Sequence, residues 1–109
     1  MSAVVVFTED EPWFINSYNW HPILERSTAA SMSSADREKL DEHIDVIGVN
    51  FPLIEGAGAR RAVAEFLLRI VEELQQDLAA SGEENSAEAM AKYEDLTRKM
   101  RREIRQITT

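Results

Sequence analysis

Cysteine is absent from the 109 residues, so no disulfide can brace the fold and side-chain packing must hold it together. Glycine and proline are sparse, at four and three residues. They act as punctuation: Pro12, Pro22, Pro52, Gly48, Gly56, Gly58 and Gly82 fall between apolar periodic segments. No apolar run approaches the roughly 20 residues that span a bilayer. The opening MSAVVVFTEDEP has too short an apolar run, and no basic n-region, for a secretory signal. A cytoplasmic protein without a membrane segment is the expectation.

Positive charge is also scarce. The formal net charge is −8, and it is unevenly spread. Residues 1–97 hold seven Lys or Arg against nineteen Asp or Glu, whereas residues 98–109 hold five against one. Most of the surface therefore repels nucleic acid, whose backbone needs compensating cations. The RKMRREIR stretch is the single basic patch, with Arg98, Arg101, Arg102 and Arg105 gathered on one side of a helix. These four are the candidates for an anion or nucleic-acid contact. Direct nucleic-acid binding is nevertheless not expected, because the rest of the chain opposes it.

The usual catalytic constellations are missing as well. With no cysteine, a zinc site would need both histidines, His21 and His43, plus carboxylates, at a spacing that matches no familiar pattern. There is no GxSxG, and Ser33 and Ser34 stand where helix caps belong. EGAGARR lacks the spacing of a phosphate loop, so Arg60 and Arg61 are expected as a surface pair. No enzyme, metal or cofactor is expected.

What the chain does have is helical periodicity. At 44% apolar residues it can build a core, and a domain of this size buries roughly 60–70% of its unfolded surface. AVVVFT predicts a short strand or an extended arm, with no second clear strand to pair with it. PILERSTAA starts a short helix at Pro22. ADREKLDEHIDVIGV predicts another, opened by a capping box of Ser33 and Asp36, with Leu40, Ile44 and Ile47 on one side. Ala59 to Ala80 gives the strongest helix, whose stripe runs Val63, Phe66, Leu67, Ile70, Val71, Leu74 and Leu78. SGEENS is a turn with Gly82 as the stop. A last helix follows, capped by Asn85 or Ser86, with a seam of Met90, Tyr93, Thr97, Met100, Ile104 and Ile107. The fold class is thus mainly α: a small helical bundle, residues 1–109 as one domain, built around a long antiparallel helical hairpin.

The apolar surface of that bundle looks larger than it can hide. Val63, Phe66 and Ile70 point away from the Leu67 line, so one partner helix cannot cover both. EDEPWFINSYNWHPI holds four of the eight aromatic residues, and Trp13, Phe14, Ile15, Tyr18 and Trp20 lie too close together for every ring to enter one core. Leaving Trp13, Phe66 and Ile70 exposed would forfeit on the order of 5 kcal/mol, comparable to the stability of a small domain. A homodimer or another protein is the expected remedy. Residues 1–21 form an aromatic arm packing on the bundle or on a partner. The expected protein anchors are Trp13, Phe14, Tyr18 and Trp20, with Val63, Phe66 and Ile70 on the central helix. The acidic run Glu9, Asp10, Glu11 favours a partner whose apolar patch has a basic rim. These features predict a protein-binding inhibitor, such as an anti-activator that covers a transcription factor's dimerisation or DNA-binding face. An immunity or antitoxin protein, or a small DNA-associated regulator using the Arg98–Arg105 helix, are the alternatives.

Overall fold

Val4 and Val6 alternate with Ala3 and Val5 along the first strand, and this period of two puts Ala3, Val5 and then Phe7 into the core. The computed structural model describes residues 2–29, 33–81 and 86–108, and every side chain within them except those at positions 17, 29, 36, 39, 86 and 108. The order of elements is β1 (Ser2–Val6), β2 (Trp13–Asn16), α1 (Ser17–Ala29), α2 (Ser34–His43), β3 (Gly48–Asn50), a 3-10 turn (Phe51–Leu53), α3 (Ala57–Ser81) and α4 (Ser86–Thr108). The fold is mainly helical, with a three-stranded sheet ordered β2-β1-β3.

The strand expected to lack a mate has two. β2 pairs antiparallel with β1, setting Val4 opposite Phe14 and Ala3 opposite Ile15. β3 pairs parallel, setting Val4 opposite Gly48 and Val6 opposite Asn50. Residues 2–6 and 13–16 thus form sheet that packs on the helices. A four-residue and a three-residue strand carry too short a pattern to stand out in sequence.

The aromatic stretch resolves into two elements. Asn16 Oδ1 accepts the backbone N–H of Asn19 at 2.9 Å, an N-cap that starts α1 five residues before Pro22. Pro22 therefore lies inside the helix and removes the bond its nitrogen would have donated to the Tyr18 carbonyl. Trp13 and Ile15 point inward by strand alternation, Trp20 and Ile23 by helical spacing, and all four are buried. The expectation that the rings crowd one another is corrected by this switch of period at Asn16.

The shortage of cover on the central helix is corrected too. Val63, Phe66 and Ile70 are buried in a single copy, as are Ala64, Leu67, Val71 and Leu74. α3 packs most extensively on α4, and α1 and α2 also lie against it. Arg26 of α1 pairs with Asp77 and, at 3.6 Å, with Glu73 of α3. The Arg69 guanidinium stands over the Phe66 ring, 5.5 Å from its centroid. On α4, Tyr93, Thr97 and Met100 are buried as the seam predicts, while Leu96 and Glu103 join them. The turn between α3 and α4, with Gly82 and Asn85, lies outside the described residues, as do the side chains of Asp36 and Ser86 expected at caps.

α2 stops at His43, six residues short of its predicted end. Leu40 and Ile44 reach the core, but the chain then turns, and Ile47 leaves the face it was expected to share with them. Gly48 makes that turn work: its φ is +120°, and a Cβ there would lie 1.8 Å from the carbonyl oxygen of Val4.

Two predictions follow from this packing. Gly48→Ala should cost about 2–3 kcal/mol in urea unfolding, through positive-φ strain and loss of the β1–β3 contact; a cost below experimental error would contradict the register. The Tyr93 hydroxyl donates to the Asn19 carbonyl at 2.6 Å, and burial raises its pKa. The stabilisation of wild type over Tyr93→Phe, about 1 kcal/mol at neutral pH, should persist below pH of about 10 and disappear as the pH rises further and the folded phenol ionises. A difference that grows in alkali would contradict this.

Candidate protein-binding face

The helices cover one face of the sheet and leave the other open. On the outer side lie Val4 and Val6 of β1, Phe14 of β2, and Gly48 and Asn50 of β3. The turn Asp45–Gly48 and the 3-10 turn carry Val46, Ile47 and Leu53, which are 63%, 62% and 73% exposed. An open trough of about 330 Å³ runs between them, bounded by Val4, Val6, His43, Asp45, Ile47 and Leu53, with Glu42 and Asn50 at its edge. Phe14 extends the apolar strip on the far side of Val4.

This turn has an unusual composition. Asp45 and Gly48 exchange both backbone bonds, at 3.2 and 3.1 Å, so Val46 and Ile47 form a two-residue tip. Such tips ordinarily carry Asn, Asp or Gly, and here they carry two β-branched apolar residues. The tip is also well anchored. Asp45 Oδ1 accepts the Ile47 N–H at 3.0 Å, and the Ile47 carbonyl accepts the Val4 N–H at 2.9 Å. From beneath, the buried indole Nε1–H of Trp20 donates to the Asp45 carbonyl at 2.8 Å. Leu53 is held similarly, because Phe51 is buried and stacks on Phe7 with ring centroids 5.6 Å apart. Isolated exposed apolar residues are ordinary; here Ile47 and Leu53 line the trough and Val46 stands beside Ile47 at the tip.

Glu42 and Asp45 are the acidic residues among those lining the trough, which include no lysine or arginine. Farther along α2, Glu38 and Asp41 stand with Arg37, whose guanidinium lies 3.8 Å from Asp41. His43 is half-buried, its Nε2 3.9 Å from Glu42. Among the described residues no group of three or more His, Asp or Glu gathers as a metal site.

The residues chosen from sequence divide sharply. Phe14 and Tyr18 are exposed and available to a partner, at the opposite end of the sheet from the tip. Trp13, Trp20, Val63, Phe66 and Ile70 are core, and this corrects their assignment as contact residues. The two tryptophans act from inside: Trp20 props the turn, and Trp13 Nε1–H donates to the Lys92 carbonyl at 3.0 Å, tying β2 to α4.

The basic helix is engaged within the chain. Arg101 pairs with Glu72 at 3.1 Å, Arg102 with Asp10 at 3.1 Å, and Arg98 with Asp95. Arg105 also has an interaction partner. Lys99 reaches the Glu11 carbonyl and Gln106 the Glu9 carboxylate, so the acidic run expected to face a partner lies along α4. Arg61 pairs with Glu65 at 3.0 Å beside the glycine-rich lead-in. Sequence reasoning missed Glu103, which is only 1% exposed and accepts both the N–H and the hydroxyl of Thr8, at 2.8 and 2.7 Å. Its position between Met100 and Ile104 of the seam was the available signal.

Compared with models of protein families, with curated proteins and with solved structures, the chain matches none.

Removing the Trp20 indole bond tests how the tip is held. Trp20→Phe should lower stability by about 1–2 kcal/mol and speed amide exchange at Ile47 and Gly48 more than at Leu67. Equal acceleration at all three would contradict a local prop. Glu103→Ala should cost about 2–3 kcal/mol, since it removes a charge-assisted pair of bonds; a neutral change in the urea midpoint would contradict the clamp on Thr8.

Proposed function

We propose that this chain is a stoichiometric protein-binding inhibitor that docks the open sheet face onto a target and covers the surface the target works with. The observation that carries this reading is the rigid apolar tip, Val46 and Ile47, beside Leu53 and an acid-rimmed trough. These side chains are mostly exposed in the single copy, and burying each of the larger ones is worth roughly 1.5–3 kcal/mol. An apolar centre with a charged rim is the ordinary anatomy of a specific interface. The complementary target surface is apolar with a basic border, as the dimerisation or DNA-binding face of a transcription factor is. Anti-activation in the cytoplasm is therefore the favoured role, and the proposal carries no catalytic step.

Neutralisation of a toxin would use the same face, and the identity of the captured protein separates the two roles. A DNA-associated role draws less support, because Arg98, Arg101 and Arg102 already face carboxylates. Self-association through α3 loses its reason once one copy covers that helix, so a homodimer would have to use the sheet face.

The test compares the wild-type chain with the Ile47→Ser/Leu53→Ser variant, both confirmed folded by urea unfolding, as baits in extract of the native host. Wild type should retain a protein that the variant retains at least about tenfold less. The purified chain should then suppress that protein's activity with a break at one equivalent. Equal retention by the variant, or full target activity at saturation, would overturn the proposal.

A further inference from the structure

The trough is amphipathic in a way that restricts what enters it. Val4, Val6 and Leu53 supply apolar walls, and Glu42 and Asp45 are the acidic residues of the lining. Gly48 adds no side chain between them. The volume of about 330 Å³ equals about eleven waters at ~30 Å³ each, room for one long side chain and its approach. A purely apolar side chain would strand the carboxylates beside it without a counter-charge, and an acidic one would be repelled. A long apolar stem ending in a cation satisfies both parts.

We infer that the trough receives one arginine side chain from the partner protein, its stem lying against Val4, Val6 and Leu53 and its guanidinium between Glu42 and Asp45. Arginine suits the site better than lysine, because its planar fork of donors can bridge two carboxylates and it is less strongly hydrated. Asp45, a lining residue of the trough, is positioned by the bond its Oδ1 accepts from the Ile47 N–H. The His43 ring borders the same lining, its Nε2 3.9 Å from Glu42. A second copy of this chain is the less suitable occupant, since two molecules of net charge −8 would bring acidic rims together.

This inference rests on the protein-binding reading but is tested separately. The isotope-labelled full chain is titrated with acetyl-Leu-Arg-Leu-amide and with the citrulline peptide of the same shape, which lacks the charge. The amides of Val4, Ile47, Gly48 and Asn50 should shift saturably with the arginine peptide. The citrulline peptide should bind at least about fivefold more weakly. Glu42→Gln/Asp45→Asn, which keeps the oxygen that holds the tip, should abolish the difference. Equal affinity for the two peptides, shifts centred elsewhere, or a difference that survives the double variant would overturn the inference. So would a lysine peptide that binds more tightly, or light scattering that gives twice 12.4 kDa with these amides buried between copies. If the peptides fail while Ile47→Ser/Leu53→Ser still loses its target, the arginine falls and the inhibitor reading stands. If the peptides behave as expected while capture is unaffected by that variant, the inhibitor reading falls.

Discussion

The close approach of Gly48 to the Val4 carbonyl is the contact on which the open sheet face depends. At 1.8 Å from that oxygen a Cβ has no place, and with φ at +120° an L side chain would be strained even in open space. The absence of one methyl group lets β3 join β1 in parallel and closes the Asp45–Gly48 turn. It also sets the 3-10 turn beside the sheet. Every exposed apolar residue of the tip and trough takes its position from that junction. Trp20 reinforces it from the core side, so the interior and the docking face are coupled through one backbone carbonyl, that of Asp45.

The charge asymmetry of the chain has a structural use that its composition alone does not reveal. The basic end of α4 lies against the acidic run after β1 and against Glu72 of α3, with Glu103 gripping Thr8 at the centre. Exposed pairs of this kind contribute little each, but the buried Glu103 bonds fix the path of the chain between β1 and β2. Glu42 and Asp45 remain at the trough, whose lining residues include no lysine or arginine. That acidic lining is the charge complement that the proposed basic partner would meet.

Long periodic segments were legible in the sequence and short ones were not. α3 and α4 follow from their stripes to within a few residues, because twenty or more positions repeat the pattern. β2 and β3 span four and three residues, too few for period two to emerge, and the helical pattern of α2 ran on misleadingly through Ile44 and Ile47. The aromatic run was misjudged for a related reason: crowding was assessed along the chain, whereas the change from strand to helix at Asn16 sends its rings to different elements. Trp13 and Trp20 lie in the core for this reason, and Phe66 and Ile70 lie there because α1 and α2 add cover to α3 beyond the single partner helix expected. The docking face was hidden because Val46 and Ile47 resemble the end of a helix until the turn at Gly48 is known.

Hydrogen–deuterium exchange of the chain, free and bound to its captured target, tests the central claim most directly. The account predicts slowed exchange at residues 45–53 and at Val4 and Val6, with no change along Arg98–Arg105. Protection confined to α4, or to the Phe14–Tyr18 end of the sheet, would contradict it.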